Sequence, residues 1–162
     1  MNAAQEAEKI RALAWNDKFP VDPIAIAIAI GVDVYETSLP KEVSGALIKE
    51  VGDDAKIVIE HSDNNNRKRF SCAHELGHYV ARAESSNEEK EYEYIDLRSE
   101  SSSNGNNPDE IFANQFAACL LMPEKKVKDL VHKGKSHIEM ALFFGVSNEA
   151  MKFRLKNLSL LK

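Results

Sequence analysis

The sequence predicts an α+β fold in which a small three-stranded sheet packs on helices and a C-terminal helical tail follows. Three observations support this class. Runs of strand-forming residues at 32–35, 43–48 and 56–60 follow one another early in the chain. A helical segment at 70–81 then carries an uninterrupted H-E-x-x-H pattern. Two further helical segments close the chain.

Length and composition suit one globular domain with a small appendage. The 162 residues are 43% apolar and 29% charged. No apolar run approaches the ~18–20 residues of a membrane span. The N-terminus also lacks the basic and apolar stretches of a secretory signal. We therefore expect a soluble, cytoplasmic protein that is not bound to membranes and in which Cys72 and Cys119 are free thiols.

The net charge of −5 is unevenly distributed along the chain. Residues 1–123 carry 12 Lys and Arg against 22 Asp and Glu, whereas residues 124–162 carry 9 against 4. An acidic body excludes a broad nucleic-acid-binding surface, while the basic tail leaves a local one open. We expect residues 1–123 to form a core domain and residues 124–162 to form a helical subdomain packed on it.

Two helical segments are predicted before the sheet. An apolar stripe at helical spacing predicts the first over residues 2–15. Asp22 and Pro23 are typical of a helix start, and Gly31 is typical of a stop. Large and small side chains alternate between them, as they would in a strand. The two ends favour a helix, and either structure would contribute to the core.

The smallest side chains of the predicted sheet occur at Ser44-Gly45-Ala46. Small side chains leave the backbone of a strand accessible, so an extended peptide could pair with this strand if it lies at an edge. A bulge or a close packing contact explains a glycine in a strand equally well. The sequence leaves both interpretations open.

The segment at 70–81 carries the chemistry. His74 and His78 are four residues apart, so on a helix they share one face and can offer two nitrogens to one metal ion. Glu75 adjoins His74 and can act as general base on a water molecule at the ion. The alternative is a surface helix with two unrelated histidines, because H-E-x-x-H also arises by chance.

Residues 84–107 have the composition of a surface insertion. They include seven acidic and two basic residues and a polar run at 101–107, and so have little core to bury. A short ordered piece inside them is suggested by four residues, Tyr92, Tyr94, Ile95 and Leu97. We expect a flexible, flap-like insertion near the site.

A third metal ligand is expected at the start of the next helix. Asn107 and Pro108 are typical of an N-cap and a first helical position, and Glu110 follows two residues later. Three protein ligands leave one position for water, as a catalytic site requires. A glutamate here also suits a capping box, and Asp109 or the acidic insertion could supply the ligand instead. Asn114, one turn beyond Glu110, could hydrogen-bond a metal-binding histidine.

Two blocks of the chain resemble the ImmA/IrrE family of zinc metallopeptidases. Residues 67–79, R-K-R-F-S-C-A-H-E-L-G-H-Y, are similar to the family's R-x-R-F-T-x-A-H-E-L-G-H. Residues 110–123, E-I-F-A-N-Q-F-A-A-C-L-L-M-P, are similar to its E-x-x-A-N-x-F-A-x-x-L-L-M-P. Segments 21–27, 44–48 and 144–158 also look like family segments. The resemblance thus covers nearly the whole chain apart from the acidic insertion.

The resemblance implies one catalytic Zn²⁺ ion, which would hydrolyse peptide bonds. It assigns three ligands and a catalytic glutamate to this chain: His74, His78 and Glu110, and Glu75, respectively. It also implies the substrate, a helix-turn-helix transcriptional repressor whose cleavage relieves repression. Ser71 and Arg82 depart from the family's usual threonine and histidine, and neither change removes a ligand. A further donor for the tetrahedral intermediate stays unassigned between Tyr79 and Arg82.

The tail has a helix-turn-helix-like pattern, with helices predicted at 136–144 and 147–158 around Gly145-Val146. Basic residues of the second helix could contact phosphates. Apolar residues occupy much of that helix, however, which favours a structural or partner-binding role over base recognition. Direct nucleic-acid binding is therefore not expected.

Two other functions stay open. The protein could bind a repressor or antitoxin-like partner without cutting it, with zinc kept for structure. It could also regulate transcription by binding DNA through its C-terminal helices. Glu75 argues against the first alternative, because a structural zinc site has no use for a general base. The acidic body argues against the second.

Overall fold

The structure, a computed structural model, describes residues 1–85, 90–98 and 107–161, with side chains for all of these except 84 and 85. Seven helices and four strands lie within these residues and form an α+β fold, as predicted. Segments 86–89 and 99–106 belong to the predicted flap-like insertion and lie outside the described residues.

Three of the strands follow the second helix, and the fourth lies between the third and fourth helices. The helices are α1 (Ala3–Ala14), α2 (Pro23–Ala29), α3 (Asn65–Ser85), α4 (Pro108–Leu121), α5 (Glu124–His132), α6 (His137–Phe144) and α7 (Asn148–Asn157). The strands are β1 (Asp33–Thr37), β2 (Val43–Lys49), β3 (Lys56–Glu60) and β4 (Tyr92–Leu97). The structure therefore has the predicted α1, α2 and α3, and three of the four strands directly precede α3.

The sheet has four strands, so the prediction of three is wrong. Their order is β1-β3-β2-β4, with β1 parallel to β3 and with β2 antiparallel to both of its neighbours. The additional strand, β4, comes from the predicted insertion. Its sequence Y-E-Y-I-D-L directs alternate side chains to opposite faces. The sequence suggested a short ordered piece here but did not show that it pairs with the sheet.

β2 is an inner strand, so the interpretation of Ser44-Gly45-Ala46 as an exposed edge is wrong. The register against β4 shifts between Val43 and Gly45, as in a β-bulge. A Cβ atom on Gly45 would lie 3.2 Å from the carbonyl oxygen of Val58 and 3.3 Å from Oε2 of Glu75. Close packing therefore favours glycine here, since a larger residue would need its neighbours to move.

The N-terminal cap of α2 shows whether its alternating segment is a helix or a strand. Asp22 Oδ1 accepts hydrogen bonds from the backbone N–H groups of Ile24 and Ala25 at 3.1 and 3.3 Å. Pro23 occupies the first turn, where no intrahelical N–H bond is needed. Ile26 is buried, whereas Ile28 is exposed. The capping residues therefore identify this segment as a helix, which its alternating side chains alone did not.

α3 is the central element of the core. It contacts α2 and α4 as well as β2 and β3. Leu76 and Val80 are buried along its length. A Cβ atom on Gly77 would lie only 3.0 Å from Cα of Ala113, so glycine lets α3 and α4 pack closely. This contact brings the first turn of α4 towards the face of α3 that carries the H-E-x-x-H histidines.

The tail contains the two predicted helices, α6 and α7, and α5, which was not predicted individually. Ser136 and Glu139 form a capping box at the start of α6. Arg154 of α7 is buried, and its Nε donates a hydrogen bond to the carbonyl oxygen of Met122 at 3.0 Å. Arg154, one of the basic residues of this helix, is therefore used in packing and is not free to contact a phosphate. The boundary at residue 123 stays a prediction.

Two smaller expectations can be compared with the structure. No helix in the described part of the chain is long and apolar enough to cross a membrane. Both cysteines are free, as predicted. Burial raises the pKa of the Cys72 thiol, which keeps it in its unreactive protonated form.

We predict that Arg154→Ala lowers the free energy of unfolding by about 1–3 kcal/mol, because the Met122 carbonyl loses its buried donor. Lys152→Ala on the exposed side of the same helix is the control, and should change it by less than about 0.5 kcal/mol. Urea denaturation of both variants provides the measurement. Equal stability of the two variants would show that the Arg154 contact does not hold the tail.

Candidate metal centre

α3 places two histidines on one buried face. His74 and His78 are 5% and 1% exposed. Their rings are 4.9 Å apart and nearly perpendicular, at 86°. Both side chains point to the same side of the helix, as their spacing predicts, and their Nε2 atoms approach the same two carboxylates. The interpretation as two unrelated surface histidines is therefore wrong.

The first turn of α4 supplies one of these carboxylates. Asn107 caps the helix, with its Oδ1 accepting hydrogen bonds from the backbone N–H groups of Asp109 and Glu110. The Glu110 carboxylate points towards α3. Its Oε2 lies 2.9 Å from His74 Nε2, and its Oε1 lies 3.1 Å from His78 Nε2. Each carboxylate oxygen of Glu110 therefore contacts one of the two histidines, while Asp109 is exposed.

β4 supplies the second carboxylate, Asp96. Its Oδ2 lies 3.4 Å from His74 Nε2 and 3.5 Å from His78 Nε2. The acidic insertion is one of the ligand sources that the sequence leaves open, but no sequence motif singles out this residue. The available signal was the period of two in β4, which puts Asp96 on the same face as Tyr94. The Tyr94 ring stacks on that of His78, with centroids 4.3 Å apart.

The distances within this cluster fit a metal ion. One ligand atom from each of four residues, His74, His78, Asp96 and Glu110, lies within 4.8 Å of all the others. A tetrahedral zinc ion with ligands at about 2.0–2.1 Å holds its ligand atoms about 3.3 Å apart. The four contacts between histidine nitrogens and carboxylate oxygens measure 2.9, 3.1, 3.4 and 3.5 Å. The residues present therefore fit one small divalent cation.

Hydrogen bonding alone does not account for the cluster. His74 Nε2 and Asp96 Oδ2 are buried and form no hydrogen bond of good geometry, although Nε2 lies 2.9 Å from Glu110 Oε2 and 3.4 Å from Asp96 Oδ2. Buried polar atoms without partners cost on the order of 1–3 kcal/mol each. Such atoms that approach a common point without bonding to one another are typical of ligands around an ion. A cation would satisfy both atoms at once.

The charges at this point also favour a cation. Burial by itself would lower the pKa of His74, but Asp96 and Glu110 outweigh this effect and raise it to about 9. The pKa of His78 is raised by the same carboxylates against the same effect of burial. The pKa of Asp96 is lowered, because its contacts with the two histidines outweigh burial. The two carboxylates thus stabilise positive charge here, on protons or on a metal ion.

The chain matches the family model of the IrrE N-terminal-like domain, Peptidase_M78, over residues 28–156. It belongs to this peptidase family. No curated relative matches the chain. The family match confirms the resemblance found in the sequence and supports a metallopeptidase, to which a cluster able to hold a metal ion is appropriate. The roles of the individual residues stay predictions.

In this M78 peptidase, Glu75 lies deep beside the cluster. It is 1% exposed, and its Oε1 has no hydrogen-bond partner. Burial raises the pKa of the Glu75 carboxyl well above its usual range, and the neighbouring Asp96 and Glu110 raise it further. A bound cation would oppose these effects and favour the carboxylate form, which can accept a proton from water held at the site.

Asn114 lies behind the cluster, on the same side of α4 as Glu110. His74 Nδ1 donates a hydrogen bond to Asn114 Oδ1 at 2.8 Å. An amide oxygen only accepts, so this bond keeps the proton on Nδ1 and leaves Nε2 available to a metal ion. Arg82, a candidate donor in the sequence analysis, lies over the Tyr92 ring at 5.0 Å. Neither Arg82 nor Tyr79 is assigned that role.

We predict that Asn114→Ala weakens metal binding about 10–100-fold, because His74 loses the bond that sets its tautomer and orientation. Gln115→Ala is the matched control, since this exposed neighbour also loses an amide. Competition for Zn²⁺ against a chelating dye gives the dissociation constants. Equal constants for the two variants would contradict the role of Asn114.

Proposed function

We propose that this chain is a zinc-dependent endopeptidase that cleaves a helix-turn-helix transcriptional repressor and thereby relieves repression. The observation that carries the catalytic part is the buried Glu75 carboxyl beside the converging His74, His78 and Glu110 side chains. Membership of a peptidase family supports hydrolysis of peptide bonds. The repressor as substrate, and with it a cytoplasmic location, is an extension from the resemblance to the ImmA/IrrE family.

Zinc is the metal that we propose, with His74, His78 and Glu110 as its ligands. Imidazole nitrogens together with a carboxylate are typical of catalytic zinc sites, and the contact distances suit its small tetrahedral geometry. When bound, Zn²⁺ supplies a Lewis acid that polarises the scissile carbonyl group and lowers the pKa of water. The buried surroundings of both histidines strengthen such electrostatic effects.

Glu75 acts on protons in this proposal. Its carboxylate removes a proton from the attacking water and passes it to the leaving amine. The charge of a bound zinc ion would oppose the effects that raise the pKa of Glu75 and so favour the carboxylate that a base requires. The contact of Glu75 with Gly45 limits the space for its carboxylate and so helps to orient it.

A second candidate function is a zinc-containing protein that binds a repressor or antitoxin-like partner without cutting it. One observation favours it: Asp96 brings the number of converging side chains to four, and four protein ligands are typical of structural zinc. A third, DNA binding through the C-terminal helices, is weakened because Arg154 is buried against Met122.

We predict that Glu75→Gln abolishes cleavage of the repressor while bound zinc stays at the wild-type level, because the amide cannot accept the proton. His74→Ala and Glu110→Ala should instead lower the zinc content. Each protein is co-expressed with the helix-turn-helix repressor encoded nearest its gene. Intact mass then gives the repressor's fragments, and elemental analysis gives the zinc content.

Asp109→Asn is the matched control for this experiment, since it removes an exposed carboxylate next to Glu110. It should cleave at the wild-type rate. A repressor that stays intact but co-purifies with both wild type and Glu75→Gln would support the non-cleaving partner instead. Loss of zinc from Glu75→Gln would contradict the assignment of Glu75 as a base.

A further inference from the structure

β4 pairs with β2, the strand whose Gly45 lies against the predicted catalytic Glu75. It pairs antiparallel with β2 from Lys49↔Tyr92 to Val43↔Leu97 and forms the edge of the sheet. Extended peptides commonly bind proteins by adding a strand to a sheet edge. Without β4, the edge available beside Glu75 would be β2. β4 therefore occupies the position at which an extended substrate could pair with β2.

Asp96 of this strand is placed at the reacting side of the cluster. It stands opposite Gly45 in the β2–β4 register, and Gly45 lies against the Glu75 carboxylate. Its Oδ2 is also 3.4 and 3.5 Å from the Nε2 atoms of His74 and His78. The carboxylate thus lies near the histidines on the side where Glu75 would act on water.

Contacts on both sides of Asp96 hold β4 in this position. Ser44 Oγ donates a hydrogen bond to the Asp96 carbonyl oxygen at 3.1 Å. Just beyond the strand, Arg98 Nη2 donates to both carboxylate oxygens of Asp63 at 3.0 Å. On the other side of Asp96, the Tyr94 ring stacks on His78. These contacts direct the Asp96 side chain into the cluster.

We propose that Asp96 is a fourth, displaceable metal ligand through which β4 keeps this site closed, and that an extended substrate opens the site by replacing β4 on β2. The proposal rests on the metal centre of the proposed function. Four protein ligands leave no position for water on a tetrahedral ion. Release of Asp96 restores the three-ligand arrangement that hydrolysis requires. Asp96 therefore makes the peptidase latent until a substrate strand arrives.

Small anions test whether a coordination position is open, without any need for peptidase activity. The protein is loaded with Co²⁺ in place of zinc and titrated with azide, and binding is followed by the visible absorption of the metal. Four proteins are compared: wild type, Asp96→Ala, Asp96→Asn and Glu93→Ala. Asp96→Asn keeps the size of the side chain in case Asp96→Ala does not fold. Glu93→Ala removes an exposed carboxylate from the same strand.

We expect both Asp96 variants to bind azide at least about tenfold more tightly than wild type and Glu93→Ala, because azide no longer competes with an internal ligand. We also expect their affinity for Co²⁺ to fall. Equal azide affinity in all four proteins would overturn the proposal and leave the metal centre intact. Absence of a Co²⁺ spectrum from all four would overturn the metal centre itself, and this proposal with it.

Discussion

The structure depends on bringing two imidazoles and two carboxylates to one buried point. Buried carboxylates are costly unless positive charge and hydrogen bonds compensate them. Protons on the histidines would do this in part, since the two carboxylates raise the pKa of His74, but two buried ligand atoms still form no hydrogen bond of good geometry. A divalent cation would compensate both. The cluster thus links α3, α4 and β4 through a single electrostatic requirement.

The surrounding fold brings these side chains together because neighbouring helices and strands pack closely at two glycines. Gly77 allows α4 to lie against α3, so that the capped first turn of α4 presents Glu110 to the histidines. Gly45 likewise allows β2 to lie against Glu75, and its bulge adjusts the register of the strand that carries Asp96. Arg69 donates a hydrogen bond from Nη1 to the Gly145 carbonyl oxygen and so joins the start of α3 to the tail.

Local sequence signals predicted the parts of the fold and site that depend on local physics. Helical spacing placed His74 and His78 on one face, and the caps of α2 and α4 located those helices. The number of strands was wrong, and whether β2 lies at an edge stayed open, because strand pairing joins residues far apart in sequence. Asp96 was missed as an individual candidate for the same reason, since only the pairing of β4 with β2 carries it to the histidines.

The most direct test of this account is anomalous diffraction from a crystal of the zinc-loaded protein, recorded on both sides of the zinc absorption edge. We predict one zinc peak, bonded to the Nε2 atoms of His74 and His78 and to the Glu110 carboxylate at about 2.0–2.2 Å. Bonding of Asp96 to the same ion would further support the closed form. A zinc peak elsewhere, or none at these residues, would contradict the metal centre on which the account rests.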